Sequence, residues 1–408
     1  MWEITRLMRT VGRLWPTGLV ITLLSSTVPR LTYAHGVNLS AHETLAIISD
    51  NGRMLLINEA GHVVAIRTSV KVPPEPHENW TIPDAYIPYP MSVSVSATHV
   101  YFVLGSQVWA MSRSGTTKMV ATVPGRAYTQ VAIAVSPDDR TMAVGLLTFT
   151  LSRQQQMGGG VVTAPGVPVH EHLYTINLGS GQQHKVFVAD VSQDSGTLIR
   201  PIGWRGSAIV LSVGPIGSQQ GPPNPYGAWY GYHVVNSADG TRLATICPHN
   251  DGGPGPNTVA AGIVGPSGAA CIYSSTVIYL QSWDGRCTAF SSSSNIDAYS
   301  VAPAPDGFLI AAYDRVLDSA VLLRKGSDPM SLNMDRQPVG WLDSNHLVVG
   351  DHSIPNQMLW IYNLKAHTIT PLALAQGRHA LSFLGALPGG LGGPAPTGPI
   401  AAKGCPAA

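Results

Sequence analysis

Seven times along this 408-residue chain, at an average spacing of about fifty residues, a short apolar run is followed by two or three more that turn dipeptides punctuate. The first cycle predicts strands at Leu45–Ser49, Arg53–Asn58 and His62–Arg67, turning at Asp50-Asn51-Gly52 and Ala60-Gly61. The second predicts Val100–Leu104, Val108–Ser112 and Lys118–Val123, and the third Val131–Val135 and Thr141–Leu147. The fourth runs through Ile199–Trp204, Ala208–Val213, Tyr230–Asn236 and Arg242–Ile246. The fifth runs through Val259–Val264, Ala269–Tyr273, Val277–Ser282 and Cys287–Phe290. The sixth offers Ser300–Pro303, Phe308–Ala312 and Val321–Arg324, and the seventh Gln337–Trp341, His346–Val349, Met358–Asn363 and Thr368–Leu372. An apolar-Gly-Trp strand followed by a tight turn recurs in register at Ile202-Gly203-Trp204 and Val339-Gly340-Trp341. This pattern predicts an all-β chain folded as a single β-propeller of about seven four-stranded blades, with six or eight as the alternatives.

The first cycle lacks an innermost strand, and the apolar run Ala380–Leu387 is left over after the seventh. One end of the chain is therefore expected to complete the other end's blade, which removes the exposed edges of the ring.

Two turns carry a resemblance. Ser136-Pro137-Asp138-Asp139, followed by Arg140 to Val144, resembles the Ser-Pro-Asp-Gly turn of TolB-type and YVTN-type (WD-repeat-like) bacterial propeller repeats, and Ala304-Pro305-Asp306-Gly307 is similar to it. In such a turn Pro sets φ, Asp bonds its own backbone and the fourth residue takes the left-handed position. The resemblance implies a propeller used for interaction rather than catalysis.

The ends of the chain differ from its middle. Arg6, Arg9 and Arg13 precede the apolar stretch Trp15–Val28 and the small residues before Ala34, which read as a secretory signal over 1–34. A retained anchor is the alternative, although the stretch is shorter than the ~20 residues a spanning helix needs. The propeller is expected over 35–387, and the Pro/Gly/Ala-rich stretch 388–408 is expected to be a disordered tail.

Only 12% of residues are charged, against roughly 25% in an ordinary soluble domain. Formal net charge is +1 without a basic cluster in the mature region, which leaves no electrostatic footprint for nucleic acid. A polar, uncharged exported surface explains this composition, and tolerance of acid is the sharper expectation. Cys247, Cys271, Cys287 and Cys405 allow three pairings in an oxidising compartment. Cys271 and Cys287 fall on the second and fourth strands of one blade, too far apart to bond, whereas Cys247 with Cys271 across neighbouring blades and free buried thiols both stay open.

Long loops are where a propeller binds. Three stand out, at 72–90, 152–169 and 214–231. The first and third display Trp80, Tyr86, Tyr226, Trp229 and Tyr230, flat amphipathic rings suited to a protein, glycan or peptide ligand; covering the strand ends is their plainer use. His170-Glu171-His172 enters a strand with both imidazoles on one face, too few ligands for a metal site, and reads as surface histidines. Asp351-His352 is equally ambiguous. A mature end at His35-Gly36 resembles the start of copper-dependent polysaccharide monooxygenases in two residues only, so no metal or other cofactor is expected. No nucleophile elbow, zinc-protease helix, phosphate loop or full calcium loop occurs. The expected protein is a monomeric, exported, non-catalytic binding or interaction module, periplasmic, cell-surface or extracellular, with no membrane span in the mature chain. A secreted hydrolase or lyase acting on carbohydrate or peptide is the alternative.

Overall fold

A computed structural model describes residues 43–50, 53–67, 93–124, 129–150, 168–192, 197–215, 231–248, 264–274, 277–291, 298–351, 358–373, 381–396 and 405. Its strands form seven antiparallel sheets, the blades of one β-propeller. Blade 1 holds β1 (Leu45–Asp50), β2 (Arg53–Asn58) and β3 (Val63–Arg67). Blade 2 holds β4 (Val93–Val95), β5 (His99–Leu104), β6 (Gln107–Ser112) and β7 (Thr117–Thr122). Blade 3 holds β8 (Thr129–Val135), β9 (Thr141–Phe149), β10 (Pro168–Asn177) and β11 (Gln183–Ser192). Blade 4 holds β12 (Thr197–Arg205), β13 (Ala208–Pro215), β14 (Tyr232–Asn236) and β15 (Arg242–Ile246). Blade 5 shows β16 (Ala269–Ser274), β17 (Val277–Gln281) and β18 (Cys287–Ser291); the innermost strand expected at 259–264 lies outside the described residues except Val264. Blade 6 holds β19 (Ala298–Pro303), β20 (Leu309–Asp314), β21 (Ser319–Arg324) and β22 (Met330–Ser331). Blade 7 holds β23 (Arg336–Asp343), β24 (His346–Asp351), β25 (Leu359–Asn363) and β26 (Thr368–Ala373). The last strand, β27 (Leu381–Leu387), pairs with β1 and is the innermost strand of blade 1, as the unpaired apolar run predicts. No helix among the described residues is long and apolar enough to cross a membrane.

Among the described residues the core is seven apolar clusters rather than one, and each lies between two neighbouring blades. Because a blade's middle strands are covered on both faces, β1 and β2 are buried almost throughout, which is why they read as continuous apolar runs instead of alternating ones. The outer strand β7 meets solvent and is half-exposed, mixing Thr117, Lys118 and Thr122 with Met119, Val120 and Ala121.

The recurring Gly-Trp has a mechanical reason. Trp204 on β12 donates its indole N–H to Ala134 O on β8 at 2.8 Å, and Trp341 on β23 donates to Ala302 O on β19 at 2.9 Å. Each indole ties one innermost strand to that of the preceding blade. The Pro-Asp turns also match expectation. Asp139 N bonds Ser136 O at 3.0 Å with φ 59°, and Gly307 N bonds Ala304 O at 2.9 Å with φ 76°. A carboxylate stands at the left-handed position of the first turn because it crosses to blade 2, accepting Tyr101 Oη–H at 2.7 Å and Thr98 Oγ1–H.

The structure adds two facts about the C-terminal part. Free thiols are not found: Cys247 bonds Cys271, the inter-blade pairing left open above, and Cys287 bonds Cys405. Cys271 and Cys287 indeed sit on β16 and β18 with β17 between them. Nor is the tail free throughout. Leu391 and Cys405 are buried in the cluster between blades 4 and 5, since an unsubstituted backbone at Gly203 leaves room for the Leu391 side chain. β4 and β22, three and two residues long, carry too little pattern to be read from sequence.

Candidate functional site

Within each meandering blade, the connections from first to second and third to fourth strand open on one end of the ring, here the turn face. Those from second to third strand, and from one blade to the next, open on the other, the loop face. The strand ends flanking 68–92, 151–167 and 216–230 all open on the loop face. Trp80, Tyr86, Tyr226, Trp229 and Tyr230 belong to these connections and lie outside the described residues, as do His35, Gly36 and His352.

Near the strand ends on the loop face, at the boundary of blades 3 and 4, ionisable side chains are buried. β10 alternates strictly at this end, so His170 and His172 are exposed and Glu171 is buried against blade 4. His170 pairs with Asp190 on β11. The register aligns Gln130, Leu147 and Glu171 across β8, β9 and β10, which puts them on one face. Blade 4 approaches that face closely: a Cβ on Gly145 would lie 2.7 Å from Pro201 Cδ. Ile199 N donates to Glu171 Oε1 at 3.1 Å, and the Nε2 of Gln130 is buried without a partner.

Burial pushes the Glu171 carboxyl up to about 7, against a smaller opposing effect of the Ile199 hydrogen bond. Burial lowers the Arg200 guanidinium to about 9. His233 on β14 lies opposite Leu211, on the face that packs against blade 3; burial and then the charge of Arg242 lower its imidazole to about 4. Such displaced groups are the signal that marks functional sites, although blade packing displaces them too. Sequence reading passed over Glu171 because its burial depends on blade 4; its place opposite two exposed histidines was the available clue.

These two groups respond to pH in opposite directions. The folded chain holds the Glu171 proton more tightly than the unfolded chain does, with about 7 against 4.5, so its contribution is complete below 4.5 and lost as pH rises to 7. His233, at about 4 against 6.5, contributes fully above 6.5 and loses that contribution as pH falls to 4. Each is worth about 2–3 kcal/mol after allowing for partial exposure. They offset one another, so urea unfolding should give wild-type stability that is flat between pH 5 and 7. The neutral Glu171→Gln removes one side of the balance and should lose about 2 kcal/mol on moving from pH 7 to 5. Parallel pH profiles for variant and wild type would refute the assignment.

On the turn face, Glu59, Asp343 and His346 bring three ligand-type atoms within 4.8 Å of one another. Hydrogen bonds settle their use. Asn363 Oδ1 accepts Lys365 N and Ala366 N, so its Nδ2 faces His346 Nε2 at 2.9 Å and donates to it. The imidazole proton then sits on Nδ1 and is donated to Asp343 at 2.9 Å, while Asp343 Oδ1 accepts Asn345 N and His346 N. The group secures a blade 7 turn, with no nitrogen lone pair left for a cation.

No protein-family model matches the chain, and no curated protein matches it. Among solved structures it is similar to TolB from Acinetobacter baumannii, at 12% identity and TM-score 0.35, covering 83% of this chain and 65% of TolB. It is also similar to an oligogalacturonate lyase in complex with manganese, at 13% identity and TM-score 0.35, covering 69% of this chain and 64% of the lyase. A functionally unknown protein from Desulfotomaculum acetoxidans matches at 9% identity and TM-score 0.43, covering 84% of this chain and 98% of that one. The chain thus spans just under two thirds of the TolB and lyase chains. The propeller assignment rests on the seven sheets themselves.

Proposed function

We infer that this protein is an exported, non-catalytic β-propeller that acts as a binding or protein-interaction module in the cell envelope or medium, with its ligand on the loop face. The observation that carries this reading is the unequal treatment of the two ends. The chain's own segment 388–396 packs onto the turn face, while the strand ends flanking the longest connections open on the opposite one. Two disulfides support export, since they persist in oxidising compartments. The aromatics Trp80, Tyr86, Tyr226, Trp229 and Tyr230 supply contact area at small entropic cost for a protein, glycan or peptide.

A hydrolase or lyase acting on carbohydrate or peptide is the second reading, and Glu171 favours it: a carboxyl that exchanges its proton near neutral pH suits a general acid. That carboxyl accepts a backbone hydrogen bond between two blades, which favours a packing role.

The test is a pull-down from the native envelope and culture fluid using the chain from His35 onward, with Trp80→Ala and Trp229→Ala run beside it. One partner or glycan retained in stoichiometric amount, lost at least tenfold in the aromatic variants while their unfolding midpoints stay unchanged, is the expected result. Retention that survives both substitutions overturns the loop-face assignment. A glycan or peptide recovered shortened, with shortening abolished by Glu171→Gln, moves the protein to the second reading.

A further inference from the structure

The C-terminal segment is seated in the turn face like a ligand. It leaves β27 in blade 1, and Gly389 N bonds Ser96 O in the first turn of blade 2 at 2.9 Å. Two residues later, Leu391 is buried against Gly203 in blade 4, where a Cβ would stand 2.6 Å from the leucine Cδ1. Blades 1 and 4 lie across the ring from one another, and four residues span at most about 14 Å. The segment therefore reaches from blade 1, past the first turn of blade 2, to blade 4 on the turn face.

What receives it is a specific cleft. Leu391 enters the apolar cluster that holds Tyr232 and Trp283. Arg205 donates through Nη1 to Leu391 O at 3.2 Å and to Pro266 O of blade 5 at 3.0 Å, and its Nε is buried without a partner. Glycines stand where backbone and guanidinium come too close for a side chain. A Cβ on Gly393 would meet Arg205 Nη1 at 2.5 Å, and one on Gly206 would meet Ala395 N at 2.8 Å. Beyond the segment, Cys405 is buried in the same cluster and bonded to Cys287. Both ends of the segment are thus fastened.

We propose that the turn face of blades 4 and 5 is a binding cleft for an uncharged Leu-Gly-Gly-Pro type peptide, that residues 388–396 are its tethered occupant, and that the Cys287–Cys405 bond is the latch that keeps it seated. Leucine fills the apolar pocket, the glycines allow close approach, a main-chain carbonyl accepts from Arg205 Nη1, and proline holds the exit extended. Tethering at both ends gives the occupant an effective concentration of about millimolar order, which excludes the same peptide added from solution. The cleft faces away from the ligand face inferred above.

The experiment keeps the full chain. Cys287 and Cys405 are both changed to serine, and Leu391→Asp is added to drive the occupant from its apolar pocket. A labelled peptide of sequence Pro-Gly-Gly-Leu-Gly-Gly-Pro-Ala-Pro is titrated by fluorescence anisotropy. Saturable binding to this variant, at least tenfold tighter than to the wild-type chain and weakened at least tenfold by further Arg205→Gln, is expected. Equal binding to both chains, or none to the variant, overturns the proposal. If Leu391→Asp prevents folding, hydrogen exchange on the chain lacking only the latch decides. Exchange of the Gly389 amide at least tenfold faster than in wild type, with β27 amides unchanged, supports the latch, and unchanged protection rejects it.

Discussion

Replacing Leu381, Leu384 and Leu387 together by alanine is expected to abolish cooperative folding. These three side chains are 2%, 4% and 0% exposed, and they belong to the strand that closes the ring. Leu381 packs between blades 7 and 1, whereas Leu384 and Leu387 pack between blades 1 and 2, so two of the seven interfaces depend on one C-terminal strand. Each truncation costs about 2–5 kcal/mol when the cavity cannot collapse. Three of them match the whole stability of an ordinary domain, about 5–15 kcal/mol. Their loss also leaves β1 with a poorly covered edge, a template for pairing between chains. Urea titration followed by tryptophan fluorescence should show no sharp transition, and sedimentation should show aggregation. A single cooperative transition within 2 kcal/mol of wild type, judged against the cost of one such cavity, would mean that the ring closes by other contacts. Leu384→Ala alone should keep the transition and shift it by about 3 kcal/mol.

The second large effect is expected at the two strand-clasping tryptophans. Trp204→Ala and Trp341→Ala each remove a large buried ring, a change worth about 3–5 kcal/mol. Each also orphans a carbonyl, at Ala134 or Ala302, on the neighbouring innermost strand. Phenylalanine separates the two contributions. It restores most of the apolar area but supplies no donor, so Trp→Phe should cost about 1–3 kcal/mol, near the penalty for an unpaired buried carbonyl. The clasps serve different interfaces, blades 3 to 4 and blades 6 to 7, and share no partner. Their effects should therefore add in the double variant. A Trp→Phe change without effect at either site would show that the indole hydrogen bond contributes nothing and that the recurrence reflects ring size alone.

Much of the fold was legible because local chemistry and global closure agree. Ser136-Pro137-Asp138-Asp139 and Ala304-Pro305-Asp306-Gly307 are turns by their own stereochemistry, whatever surrounds them. The run at 380–387 was legible by elimination, since an apolar strand without a blade and a blade without an inner strand must meet. β22 was not legible, because two residues against β21 carry no period. The aromatics that sequence reading favoured for binding lie outside the described residues, whereas the buried Glu171 and His233 emerged only from blade packing.

By itself, then, the sequence determined the all-β repeat, the hairpin turns, the low charge and the strand that closes the ring. Each depends on periodicity, turn stereochemistry or composition, which act over a few residues. Tertiary structure alone decided the partner of Cys405, the burial of Leu391 in the far side of the ring, and the opposed shifts of Glu171 and His233. Those outcomes depend on which blade lies beside which, and residues more than a hundred positions apart, such as Cys287 and Cys405 with a separation of 118, meet only once the ring has closed.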